Sequence, residues 1–454
     1  MTGPERLSLP DGNGGWVEVS VARWDGTHWS PVLGAPAPAY PDAPFVADQG
    51  PMRNIATNCA VLQNEWRPGP DGGATATRHL LHANAESVTL GYFARPNPQF
   101  GAKASSPLRA WVRSGPSEGW RPVTFNGASE VTMNGHADPL TLTPSMAQNF
   151  YTDPIPGPWR KGTVMEVLTW GMSSEGTMGA QGVTRGDWDY GSTVGSASTV
   201  PTKPMADYGL GSKGARPSAI IAPSSQKSSW AIIGDSNSVN PDMSYALTAF
   251  RARSLPHIMN GKHGIGHHHL LNEWWSFQMG EQVKWVDSIY SAMLTNDGQP
   301  GGGEAGIMSR LVQVWTKATR DMGMKRWVQA LKTPGAVRGT DGTLGGSPDV
   351  TVAVNRWLLD GAPVLNGAPA PTGTTDPAAV RARVARRDGT VKPGAGVHPV
   401  GDGWIADSVW MLEEVPDNAV WKKEYNGGDF NHYYQEAHDA QAKEVVKLLA
   451  LMGF

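Results

Sequence analysis

The chain has 454 residues, with 38 Lys+Arg against 41 Asp+Glu and only 17% charged residues, so no cationic excess exists to hold a phosphate backbone and nucleic acid is excluded as an expected partner. Gly 55 and Pro 36 together make about a fifth of the chain, which implies turns and ordered loops and excludes coiled coils and all-α solenoids. Length predicts two domains, and the single cysteine, Cys59, excludes both an intrachain disulfide framework and a cysteine-cluster metal site.

From the first residue, Met1-Thr-Gly-Pro-Glu-Arg-Leu7 has no basic segment followed by an apolar run, so no secretory signal is expected in the sequence as written. No apolar stretch approaches the roughly 18 residues needed to span a bilayer, so no membrane span is expected. Up to about residue 222 the chain alternates short β-type segments, at 16–21, 87–93, 108–112 and 163–170, with Gly, Pro, Asn and Asp. That spacing predicts an all-β sandwich. Residues 191–225 are rich in Gly, Ser, Pro and Lys and read as a linker, with the domain boundary near 225.

Beyond it the rhythm changes. Residues 230–233 (Trp-Ala-Ile-Ile) form a short apolar run ending at Gly234, as a buried parallel strand does, and 289–294 does the same before Thr295-Asn296-Asp297-Gly298. Ile307, Leu311, Trp315, Ala318 and Met322 share a helical face, with Gly323 placed to end the helix. A strand is predicted over 327–331, then a Gly/Pro/Ala/Thr-rich excursion over 333–403 with one helix near 354–359. Ala442, Val445, Val446 and Leu449 predict a C-terminal helix. Strands alternating with helices imply an α/β domain with a parallel sheet, where chemistry gathers beyond the carboxyl ends of the strands.

Four segments sit at those places. Gly234-Asp235-Ser236-Asn237-Ser238 follows the first strand and can present a serine hydroxyl at the top of the sheet. It is not a G-x-S-x-G elbow, because Ser238 stands where the second glycine belongs. Asn260-Gly-Lys-His-Gly264 follows an apolar stub, and Gly264 offers a backbone N–H to a developing oxyanion. Asn296 offers a side-chain amide to the same charge. Asp429-Phe-Asn-His432 precedes the last helix, with a carboxylate near enough in sequence to orient an imidazole. Each alone also reads as an ordinary polar turn.

Together, in this order, the four segments resemble the blocks of the SGNH (GDSL-type) hydrolase superfamily over about 226–454, with 402–407 and 424–429 resembling the approach to the final block. The resemblance implies a three-layer α/β/α domain at 226–454. It also implies an N-terminal accessory domain at 1–225, a jelly-roll-like β-sandwich, because 123–127, 137–140 and 152–154 resemble the domain that precedes the catalytic one in some carbohydrate esterases of this superfamily. By position, Ser236 is the expected nucleophile, His432 the general base and Asp429 its orienting acid. The expected oxyanion hole is the N–H of Ser236 and of Gly264 with the amide of Asn296, Gly261 and Gly266 being alternatives to Gly264. Three departures stand out: Asn237 for Leu or Ile, Met293-Leu-Thr295 for a glycine-bearing run, and Tyr433 for Pro.

The implied activity is that of a serine esterase removing short O-acyl groups, O-acetyl first, from a carbohydrate, without a cofactor. Two alternatives stay open: a lipid or small-ester hydrolase with the same triad, and a polysaccharide-binding or viral tail-type protein whose hydrolase domain is silent. Compartment and oligomeric state are undetermined by sequence, with surface or extracellular action following if the substrate is a polysaccharide. The 19 tryptophans are expected mostly in cores, a few as sugar platforms. Gly301-Gly-Gly303-Glu-Ala-Gly306 opens a helix after a strand, but no ribose-binding acid follows the next strand, so a nucleotide site is not expected. His263, His267, His268 and His269 lie among glycines that argue against a helix. A substrate-facing histidine is expected there rather than a metal. The four arginines of 381–387 read as a solvated helix face.

Overall fold

The computed structural model describes residues 6–10, 16–20, 23–24, 29–30, 44–60, 69–94, 106–115, 117–133, 148–173, 189–203, 216–239, 244–261, 265–271, 282–298, 303–338, 344–346, 348–425 and 434–454. Two compact units are present: residues 1–142, 148–226 and 254–256 in the first, 143–147, 227–253 and 257–454 in the second.

The first unit is antiparallel. In one sheet Gly69–Leu80 runs between Val164–Ser173 and Asp189–Val194, and Ser106–Arg113 continues beyond Val164–Ser173. In the other Ala85–Ala94 lies between Gln148–Tyr151 and Ala219–Pro223, with Met52–Asn54 beyond. Tyr92 of one sheet and Thr169 of the other are both fully buried and hydrogen bond at 3.0 Å. Two strands, Asp189–Val194 and Ala219–Pro223, reach into the span expected as a linker. Pattern alone hid them because Gly and Ser dilute the first and the second has only a short apolar run.

The second unit is built on a sheet whose strands are β1 (Trp230–Gly234), β2 (His257–Gly261), β3 (Ser288–Ala292), β4 (Arg326–Ala330), β5 (Arg383–Ala385), β6 (Val391–Lys392) and β7 (Trp404–Ala406). Their order is β2-β1-β3-β4-β7-β5-β6, parallel throughout except for β6. The central strands are apolar because both faces are covered; every residue of β1 and β3 is buried. Helices α1 (Ser236–Val239), α2 (Tyr245–Ala252), α3 (His267–Leu271), α4 (Gly303–Thr316), α5 (Asp349–Leu359) and α6 (Gln435–Leu451) complete the unit. Ser244 caps α2 by accepting the Leu247 N–H at 3.2 Å.

Helix α4 buries Ile307, Leu311 and Trp315 and widens over 317–321, where the Met322 N–H reaches back to the Lys317 carbonyl. It stops at Gly323, whose φ of +71° is the left-handed conformation that glycine takes without a Cβ clash. Trp315 stacks on Trp357 of α5 with planes 5° apart, and Trp230, Trp327 and Trp421 are also fully buried, so these five indoles are core. The arginine run of 381–387 is not a helix face: it contains β5, with Arg383 over Trp404 and Arg387 paired to Asp407 at 3.0 Å. No helix among the described residues is long and apolar enough to cross a membrane.

Candidate active site

Gly234, the last residue of β1, pairs with Gly261 of β2 on one side and Ala292 of β3 on the other. Three neighbouring strands therefore end level, and their following turns leave from one rim. Ser236 stands two residues past it, opening the single turn of α1 and partly exposed.

Asp235 ties that turn to the next. Its fully buried carboxylate accepts the Asn237 N–H at 3.1 Å through Oδ1 and the Thr295 N–H at 3.2 Å through Oδ2. The Asn237 amide also reaches Thr295 Oγ1 at 3.3 Å. Burial pushes the Asp235 carboxyl above its usual range, because these donors only partly replace lost water and Asp297 adds like charge.

Asn296 lies on the turn after β3 and donates its amide to the Ile265 carbonyl at 3.1 Å. One of its two amide hydrogens is used in this bond, leaving the second for another acceptor. Asp297 then binds the segment after β2: its Oδ1 accepts the His267 N–H at 2.8 Å, and its Oδ2 lies 2.8 Å from His267 Nδ1. Arg310 of α4 donates to the Asp297 carbonyl at 2.7 Å. Although burial acts to raise the Asp297 carboxyl, the charge and hydrogen bonds of His267 and the contact with His268 outweigh it and hold the group far below the carboxylate range.

Gly266 is required here for space. A Cβ at that position would stand 2.9 Å from Asp297 Oδ1. Its own N–H is given to His269 Nδ1 at 3.1 Å, which removes Gly266 from the candidates for an oxyanion donor. Gly261 is a buried strand residue inside the ladder. Gly264, Asp429 and His432 lie outside the described residues.

The histidines differ from expectation. A helix does form, starting directly after Gly266, and His267 does not face a substrate: it is fully buried between Asp297 and Ser291, whose Oγ is 3.2 Å from Nε2. Ser291, His267 and Asp297 thus form a serine–histidine–acid trio with no access to solvent, serving as a bolt between β3 and the two loops. His268 and His269 are partly exposed and lie against each other with ring centroids 3.9 Å apart. Among the described residues no group of three or more His, Cys, Asp or Glu is placed to hold a metal ion.

The structure therefore brings Ser236 and Asn296 onto turns joined by direct hydrogen bonds. Sequence reading missed Lys332 and gave His267 a substrate-facing role in place of this buried one. Lys332, beyond β4, donates Nζ to the Leu294 carbonyl at 2.8 Å and to that of Thr295 at 3.3 Å. At the other end of the chain, the Tyr434 N–H donates to the Tyr425 carbonyl at 3.0 Å. His438, in the first turn of the helix that follows, stacks on Tyr245, the first residue of α2.

No protein-family model matches this chain. No curated protein matches it either. Among solved structures, a carbohydrate esterase family 2 enzyme with a carbohydrate-binding domain from Corynascus thermopiles (Myceliophthora fergusii) matches 89% of this chain and 100% of its own, at 12% identity and TM-score 0.35. A protein of the G-D-S-L family from Desulfitobacterium hafniense matches 48% of this chain and 98% of its own, at 10% identity and TM-score 0.31. A peptidoglycan O-acetylesterase matches 90% of this chain and 80% of its own, at 10% identity and TM-score 0.31. Among the solved structures this chain resembles are carbohydrate esterases of family 2, GDSL-type proteins and a peptidoglycan O-acetylesterase, all at low identity.

Proposed function

We propose that the second unit is an SGNH-type serine esterase releasing short acyl groups, acetyl first, from a carbohydrate. The observation that carries the reading is the Asp235 carboxylate bridging the serine turn and the Asn296 turn. It fixes a hydroxyl and an amide donor at one rim of a parallel sheet, the arrangement that acyl transfer requires of a nucleophile and an oxyanion partner.

In this reading Ser236 Oγ attacks the ester carbonyl carbon while His432, oriented by Asp429, takes the proton. The oxyanion is held by the N–H groups of Ser236 and Gly264 and the second amide hydrogen of Asn296. The sugar hydroxyl leaves with the proton from His432. Water, deprotonated by the same imidazole, then attacks the acyl-enzyme and frees the acid. Residues 426–433 carry both Asp429 and His432 between flanks bonded to each other, and the helix after them begins beside the N-terminus of α2. The same proposal includes three layers for residues 226–454, with α2 against α6 on one face and α3, α4 and α5 on the other, and a β-sandwich accessory domain for 1–225.

The test is hydrolysis of p-nitrophenyl acetate, butyrate and octanoate by the wild type and by Ser236→Ala, followed by acetate release from acetylated polysaccharides. Turnover favouring acetate and lost in Ser236→Ala is expected. A maximum at octanoate moves the substrate to lipids. Absence of Ser236-dependent turnover and of fluorophosphonate labelling leaves a binding module.

A further inference from the structure

We propose that Lys332 is a positioning residue for the oxyanion arm: its ammonium holds Leu294, a leucine standing in a glycine's backbone conformation, so that Asn296 is presented to the reacting carbonyl. The inference rests on the esterase reading and extends it to residues outside the resemblance. Leu294 has φ of +139°, a region where a side chain crowds the backbone and glycine is strongly favoured. It is nevertheless a fully buried leucine, two residues before Asn296. Such a conformation persists only where the surroundings over-determine it.

Lys332 supplies that determination. The carbonyls of Leu294 and Thr295, consecutive along the strained turn, both turn to its Nζ, at 2.8 Å and 3.3 Å. A cation holds two carbonyl dipoles more strongly than a neutral donor does. The anchor itself is rigid: the Lys332 N–H donates to Asn355 Oδ1 and its carbonyl accepts from Asn355 Nδ2, both at 2.8 Å, fastening the backbone to α5. Thr333 Oγ1 lies 3.2 Å from Thr295 Oγ1, a further link between the same two turns. Burial acts against the charge on Lys332, and Asp297 and Asp235 beside it act in its favour. The ammonium and the glycine-like turn thus compensate each other: remove the cation and the leucine conformation loses its support, replace the leucine by glycine and the cation is no longer needed to hold it.

The experiment is a double-mutant cycle of Lys332→Met and Leu294→Gly on the full chain, read as kcat and KM for Ser236-dependent acetate ester hydrolysis and as the urea-unfolding midpoint. Lys332→Met is expected to lower kcat about tenfold to hundredfold with KM nearly constant, since misplacing one oxyanion donor acts on the transition state. Leu294→Gly is expected to restore most of that kcat loss in the Lys332→Met background, and, although it empties a buried site, to cost less stability there than in the wild type. If Lys332→Met alone does not fold, Lys332→Gln, a neutral donor, takes its place in the cycle. Equal kcat losses with leucine or glycine at 294, together with additive stability changes, overturn the inference. Absence of any Ser236-dependent turnover in the wild type overturns the esterase reading instead, and the unfolding cycle then decides the clamp on its own.

Discussion

Asp235 and Thr295 lie 60 positions apart in sequence, yet the carboxylate of one accepts the backbone N–H of the other at 3.2 Å, one residue from Ser236 and one residue from Asn296. The turns that carry the proposed nucleophile and the proposed amide donor are thereby joined by a side chain that is neither. Asp235→Asn retains a single acceptor oxygen and turns an amide N–H₂ toward a backbone donor. Its kcat on p-nitrophenyl acetate is expected to fall about tenfold to hundredfold, as for a displaced catalytic group, with KM little changed. An unchanged kcat would show that the bridge does not set the site's geometry.

The His267–Asp297 pair is an anchor of the same arm and is wholly buried. Removing one partner of a buried pair leaves an uncompensated group, so His267→Ala is expected to cost about 3–5 kcal/mol in urea unfolding at pH 7. The Asp297 carboxyl is depressed below its unfolded value of 3.8, so its contribution to stability is present above that pH and is lost as pH falls. Asp297→Asn is therefore expected to be less stable at neutral pH and to show a shallower acid limb than the wild type. Identical acid limbs would remove the pair from this role.

Glu413 titrates in the opposite sense. Burial pushes it up from 4.5 to about 7, although the N–H groups of Asp417 and Ala419 donate to it and favour the charged form. The folded state thus holds a proton that the unfolded state has released between those values. Stability from this group is complete below pH 4.5 and is lost as pH rises through about 7. Replacement by Gln is expected to flatten the fall in unfolding free energy across that window by on the order of 1–3 kcal/mol. Denaturant curves at several pH values provide the check, and an unchanged slope would assign the fall to other groups.

Cys59 reports on the first unit. It is fully buried beside Asn54, and burial raises its thiol well above the usual range. The thiolate is the reactive form, so iodoacetamide at pH 8 is expected to modify Cys59 only after denaturant unfolds the unit. Rapid labelling of the native protein would contradict the burial of the short strand Cys59–Ala60.

Much of the second unit was legible because its strands are covered on both faces. Uninterrupted apolar runs identified β1 and β4 to within a residue, and the spacing of Ile307, Leu311 and Trp315 identified α4. The strand β2 was harder: His257, Asn260 and Gly261 dilute it, and only Ile258 and Met259 are apolar. Ser236 and Asn296 were singled out because each stands within two residues of the end of such a run. The groups that hold them were not, since His267 meets Asp297 across 30 residues and Lys332 meets Leu294 across 38, and no local period encodes such encounters. Glycines before His267 suppressed a helix reading, yet they precede its first turn rather than interrupt it.

The level ending of β1, β2 and β3 gives Ser236 and Asn296 tethers of different length. Ser236 hangs two residues from the rim and inherits the stiffness of the sheet, whereas Asn296 hangs four residues from Ala292, a reach of up to about 13 Å if unsupported. A longer tether sweeps a larger volume unless it is laced from the side. Cross-links to it come from Asp235, Asn237 and Lys332, and from His267 through Asp297. Precision in this sheet is therefore divided by distance: the backbone supplies it near the rim, and cross-links between turns supply it farther out.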